Sequence, residues 1–347
     1  MNNRTWIVVA CLWAAGCAES GPIDKVRILK PGRDMTLTLR SEFWRRFTHV
    51  KEQRHSVWPD GDESPHIEVR RIETPEDYTE WYDLDVDVAV SSAPGTQNAE
   101  ADMTVSRARI RMGYDKEGNA KQEFAVEYRP RSADSPPLSE EEEEAHLAKM
   151  LDGARFVAVV DPNGRVVSAK AVGEYWNEME EQLTKAPEGD AERCPQDVAI
   201  RLMSFGVFPS LDDALAYLPP ADAVAGQSWT VCRDHVVPYS PSWAFCMMME
   251  GGVYGREEST CRLKGVWSTL GGKIAEISIT GKRVVLPRRP DESDRVVTFE
   301  ITGRAEVNLT TGAVEKLRIE NVPVWGDPGR QPTEKARLVH EVSLKPR

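Results

Sequence analysis

Along Asp83-Leu84-Asp85-Val86-Asp87-Val88, carboxylates and aliphatic side chains alternate without a break. Extended backbone sends neighbouring side chains to opposite faces, so a run like this has one wet face and one buried face and reads as a β-strand. The same period of two recurs in Met35–Arg40, where Leu37 and Leu39 oppose Thr36, Thr38 and Arg40, and the aromatic-rich Phe43–Phe47 continues that segment. It recurs again over residues 66–73, 80–91, 103–114 and 122–131, with Asp115-Lys116-Glu117-Gly118-Asn119 as a hairpin turn between the last two. Half-buried strands joined by short turns pair antiparallel, which makes the first third of the chain a meander.

Pro136-Pro137 ends that meander. Ser139 followed by Glu140, Glu141 and Glu142 reads as an N-cap with acidic first-turn residues, opening a helix to about Leu151. Phe156–Val160, the turn Asp161-Pro162-Asn163-Gly164 and Val166–Ala169 form a hairpin, because proline and glycine stand where such a turn needs them. Helices are expected over residues 174–184, 194–205 and 211–218. Strands resume over 226–237, 257–268, 273–285, 295–308, 313–321 and 332–344, with turns at Gly271-Gly272 and Leu309-Thr310-Thr311-Gly312. The expected fold is α+β. A mostly antiparallel, curved sheet, an open half-barrel, would wrap a central helical insertion, with residues 35–347 as one large β-rich domain: β region 35–131, helices and hairpin 138–218, β region 226–344.

The first residues speak to compartment. One positive charge at Arg4 precedes the apolar run Trp6–Trp13, too short for a permanent span, and the small residues Ala14-Ala15-Gly16 stand before Cys17. Residues 1–16 therefore read as a secretory signal. Cys17 directly after the small residues resembles the lipobox of bacterial lipoproteins, with Ala14 where leucine is usual. That resemblance implies acylation of Cys17, a lipidated tether over 17–34, and a membrane partner held through the lipid, since each buried CH₂ contributes about 0.8 kcal/mol. Ala18 after the cysteine implies the outer membrane in a two-membrane cell. A formal net charge of −12 opposes binding to phosphate backbones, so nucleic acid is not an expected partner. In an oxidising compartment Cys194, Cys232, Cys246 and Cys261 would form two disulfides, with Cys232–Cys261 preferred as a cross-strand bridge and Cys194–Cys246 as the remaining pair.

Several motifs together carry a wider resemblance. Ala133-Asp134-Ser135, Leu151-x-Gly153-x-x-Phe156, Val157-Ala158-Val159, Asp161-Pro162-x-Gly164-x-Val166, Gly226-x-Ser228-Trp229 and Leu309-x-Thr311-Gly312 resemble a family of uncharacterised bacterial lipoproteins from about residue 100 onward. The sheet order is also similar to that of periplasmic lipoprotein carriers, whose curved sheet encloses an apolar cavity. What these resemblances imply is an envelope lipoprotein with no established activity.

Catalytic patterns are weak. Gly226-Gln227-Ser228-Trp229-Thr230 holds only the first half of a nucleophile elbow, and a strand follows it instead of a helix. The six histidines are scattered, and none belongs to a His-Glu-x-x-His. Asp83, Asp85 and Asp87 stand about 7 Å apart on one strand face, more in keeping with a solvated face than with a cation site. Trp243, Phe245, Met247, Met248 and Met249, followed by Gly251-Gly252, are candidate lining for an adaptable apolar surface. The expectation is therefore a non-enzymatic envelope lipoprotein without cofactor or metal. It binds an apolar ligand or lipid within a curved sheet, or serves as a structural or protein-binding module with a filled core. An envelope hydrolase ranks third.

Overall fold

A computed structural model describes residues 22–23, 26, 28–57, 66–116, 122–130, 148, 151–178, 207–236, 254–286, 297–324 and 335–347. The strands are β1 (Asp34–Val57), β2 (His66–Ser92), β3 (Ala99–Lys116), β4 (Gln122–Tyr128), β5 (Arg155–Val160), β6 (Val166–Val172), β7 (Ser228–Val236), β8 (Tyr254–Thr269), β9 (Gly272–Leu286), β10 (Val297–Asn308), β11 (Ala313–Val324) and β12 (Lys335–Pro346). All belong to one 12-stranded sheet, in the order β6-β5-β3-β2-β1-β12-β11-β10-β9-β8-β7, with β4 beside β3 off that path. Every pairing is antiparallel, and the sheet does not close. The mostly antiparallel curved sheet expected from the alternation is what forms.

Burial follows that alternation. Leu37 and Leu39 on β1, with Leu84, Val86 and Val88 on β2, are buried together with Ile277 and Ile279 on β9 and Ile319 on β11. The helix α1 (Phe208–Ala216) lies against β12 and β1, near the middle of the sheet order. Leu211, Ala214 and Leu215, spaced to share one helix face, join the core. Pro219-Pro220 follow the helix and cannot continue it. The helix and the sheet thus share one core cluster.

Two regions differ from the sequence reading. β1 and β2 run unbroken to Val57 and from His66, pairing with each other over the whole of that length, although the alternation suggested shorter strands. β12 accompanies β1 only as far as Arg46, and β3 meets β2 only from Glu76. Beyond those points no third strand among the described residues flanks the ribbon to define a buried face, so its sequence need not alternate. Pro75, which lacks a ladder donor, sits in this two-stranded part. The second difference lies in the expected tether, where Ile23 and Ile28 are buried in the core cluster. Ile23 also exchanges backbone hydrogen bonds with Asp222 and Ala223. Of the expected tether, residues 17–21, 24–25 and 27 lie outside the described residues.

Candidate functional site

Three charged residues stand in one row across the sheet. Arg233 on β7 is directly opposite Glu257 on β8, which is directly opposite Arg283 on β9. Strand phase explains their burial. Glu257 continues the inward series of Ser259, Cys261 and Leu263, while Arg283 continues that of Ala275, Ile277 and Ile279. Glu257 is fully buried and Arg283 nearly so.

The Glu257 carboxylate is saturated with donors. Its Oε1 accepts the Tyr217 hydroxyl at 2.6 Å and the Ser259 hydroxyl at 2.7 Å. Its Oε2 accepts Arg283 Nη2 at 2.8 Å, together with Arg233 Nη2 at 3.0 Å and Nε at 3.2 Å. Arg233 reaches on to Asp212 Oδ2 at 2.6 Å and to Asp213, both on α1, and its guanidinium lies 5.0 Å from the centre of the Tyr217 ring. Gly281, opposite Ser259, leaves the room this requires, since a Cβ there would come within 2.4 Å of the Ser259 hydroxyl oxygen.

The electrostatics follow from burial. Loss of water opposes the charge on Arg233, but Tyr217, Asp213, Glu257 and Asp212 outweigh it and hold its pKa well above the ordinary guanidinium value. Burial, aided by Glu257 and Asp213, raises Tyr217 well above an ordinary phenol despite the opposing arginines. Burial likewise lowers His340 to about 4, with Asp213 opposing and Arg283 reinforcing the shift. A carboxylate bonded this fully has no lone pair left for substrate, so the row is a lock that fastens α1 to β7, β8 and β9.

Beside the lock lies an open cleft of about 1550 Å³. Both edge strands line it: Val166, Val167, Ser168 and Ala169 of β6, and Trp229–Arg233 of β7. The sheet therefore curls until its first and last strands face one gap. Ile28 and Leu29 of the N-terminal segment and Leu215 and Leu218 from α1 and its exit supply apolar wall. The β5–β6 turn supplies another side, with the Asp161 carboxylate accepting from the backbone N–H of Asn163 and of Arg165 at 2.8 and 2.9 Å. Gly164, at φ 84°, lets that turn approach α1, where its Cβ position lies 3.7 Å from the Leu215 carbonyl oxygen.

The residues singled out from sequence fall differently. Cys232 and Cys261 are free thiols, which corrects the expected Cys232–Cys261 bridge. Cys232 is opposite Glu258, and Cys261 is opposite Trp229, so the two are three positions out of register. An odd offset puts them on opposite faces, Cys232 exposed and Cys261 buried. Burial pushes the Cys261 thiol up to about 12. Cys17, Cys194, Cys246, Trp243, Phe245, Met247, Met248 and Met249 lie outside the described residues. The aspartate row is met by arginines: Asp83 by Arg40 at 3.8 Å, Asp85 by Arg107 at 3.6 Å, and Asp87 by Arg347. Trp229 packs against the core, and Ser228 is exposed at the start of β7 with no helix after it.

No family model matches this chain, and no curated protein matches it. Among solved structures, Pseudomonas aeruginosa OccK7 (OpdD) is similar over 91% of this chain and 99% of its own, at 8% identity and a TM-score of 0.19. A likeness that slight carries no argument.

Proposed function

We propose that this protein is a non-enzymatic binding module of the bacterial cell envelope, exported by residues 1–16, anchored by lipid on Cys17, and engaging a partner protein in the cleft between β6 and β7. The observation that carries this reading is the open cleft of about 1550 Å³ bounded by both edge strands and α1. Small-molecule pockets are usually about 300–1,000 Å³ and largely enclosed, whereas this one is larger and open. The charged lock supports a binding role over a catalytic one, because each of its carboxylates already holds a cation. Anchoring fits the same picture. The six steps from Cys17 to Ile23 reach roughly 20 Å when extended, so a lipid on Cys17 would keep the cleft close to a bilayer.

An apolar ligand or lipid is the second reading, favoured by the wall of Ile28, Leu29, Leu215, Leu218, Trp229 and Val231. One experiment separates the two. A photo-crosslinking residue is placed at Thr230 in the full chain and irradiated in cells, and the adduct is weighed. A protein adduct is the expected result, and a lipid-sized one would replace the first reading with the second. Anchoring is tested with labelled fatty acid: Cys17→Ser should take up no label and leave the membrane fraction.

A further inference from the structure

The two sheet edges that flank the cleft point the same way. Each step along β6-β5-β3-β2-β1-β12-β11-β10-β9-β8-β7 is antiparallel, and ten reversals return the direction of the first strand, so β6 and β7 run parallel to each other. They cannot complete an antiparallel ring by pairing directly. One added strand, antiparallel to both, would complete it. We infer that the cleft accepts a single extended strand from a partner polypeptide, inserted between β6 and β7 and antiparallel to each; this inference rests on the partner-binding reading above.

The β7 edge itself supports it. Exposed edge strands are usually guarded by charge, proline or a bulge, because their free N–H and C=O groups recruit other strands. Among the described residues β7 is not guarded in that way along the cleft, whereas β6 carries a bulge at Val167, which falls between the pairs Val159–Ser168 and Val160–Val166. Val167, Ser168 and Ala169 on β6 and Thr230, Val231 and Cys232 on β7 are uncharged and free of proline. Val167, at that bulge, is an apolar side chain 54% exposed. Arg233, the one charged residue of β7 lining the cleft, is turned into the lock and does not screen the edge. On β7 the faces alternate. Trp229 and Val231 pack against the core while Ser228, Thr230 and Cys232 are exposed. A seated strand would lie about 4.8 Å from each edge and continue that alternation. The partner segment is therefore β-prone, apolar at every second position, and polar between.

Cys232 provides the test, since it is an exposed free thiol on the β7 edge within the cleft. The probe is a short synthetic peptide of alternating threonine and valine with lysine at both ends. It carries one cysteine, moved one position at a time, and is incubated with the full chain in a thiol-exchange buffer. Mixed disulfide mapped to Cys232 should rise and fall with a period of two along the peptide, by about fivefold or more, and vanish in Cys232→Ser. N-methylation of the peptide then separates one edge from two. A strand between two edges uses every N–H, alternately to either side, so methylation at any interior position should lower the yield severalfold. A yield that is flat along the peptide overturns strand insertion. So does sensitivity at only every second N–H, which means one edge is used and the ring stays open. If the Thr230 crosslinker captures an envelope protein while the peptide yields are flat, the partner-binding reading survives and strand insertion does not. Strand-like yields without a cellular protein adduct would do the reverse.

Discussion

The two edges of the sheet are fixed by different physics. On β7, Arg233 ties the strand to Glu257, Asp212 and Asp213 within a buried lattice of charges. On the other side, β6 rests on β5, whose Phe156, Ala158 and Val160 are buried, with the Phe156 ring 5.8 Å from that of Trp176. Residues 167–170 of β6 are all exposed. Hydrophobic burial is non-directional and tolerates small shifts, whereas the charge lattice is satisfied in one geometry only. A cleft with one rigid wall and one adaptable wall suits a partner strand, because the rigid wall sets register and the other adjusts.

The largest effect should come from breaking the rigid wall. Glu257→Ala leaves Arg233 and Arg283 buried without their shared carboxylate, and such uncompensated charge costs about 3–5 kcal/mol. Chemical denaturation of the full chain reads this directly. Lys170→Ala, exposed on β6, is the matched control and should change stability by less than about 0.5 kcal/mol. A loss under about 1 kcal/mol for Glu257→Ala would mean that the lattice does not hold β7, and the contrast between the edges would fall with it.

Acid should weaken the same wall next. His340, buried on β12 and feeling Asp213 and Arg283, has its pKa lowered to about 4 by burial. The unfolded chain, with a histidine near 6.5, then binds the extra proton first between about pH 6.5 and 4. The stability contributed by neutral His340 is thus present above about pH 6.5 and lost as the pH falls towards 4. The span corresponds to roughly 3 kcal/mol. The measurement is the difference in unfolding free energy between the parent and His340→Leu at pH 7 and pH 4.5. That difference should shrink or reverse at the lower pH, and a constant difference would show that His340 charges freely in the folded state.

Much of this architecture was legible in the alternation. Leu84, Val86 and Val88 announced a buried face, and Pro162 with Gly164 announced the β5–β6 turn, since both are local signals. Registration was not legible, because it depends on pairs far apart in the chain. The preferred Cys232–Cys261 bridge failed by three positions for that reason, although both residues were correctly placed on strands. The lock had a local signal that went unread: Glu257 and Arg283 occupy positions where strand phase demands an apolar residue. A charge in the buried phase of a strand points to a partner in the same row of the sheet. Finding that Asp212, Asp213 and Tyr217 complete the lattice required the helix to be seated in the curl, which no spacing along the chain encodes.

The smallest effect offers the finest comparison, since one substitution can be made on both edges. Val→Thr preserves shape and β preference while adding a hydroxyl. Val231 on β7 packs against the core, so Val231→Thr places that hydroxyl beside apolar neighbours, at a cost of about 1 kcal/mol. Val167 on β6 is more than half exposed, so its hydroxyl stays in water and Val167→Thr should fall within about 0.5 kcal/mol of the parent. Denaturation midpoints measured side by side give the difference. If the two variants lose stability equally, β6 is as tightly packed as β7, and the cleft has two rigid walls. If Val167→Thr is neutral in stability yet lowers the peptide yield at Cys232, the exposed valine serves the partner strand and not the fold.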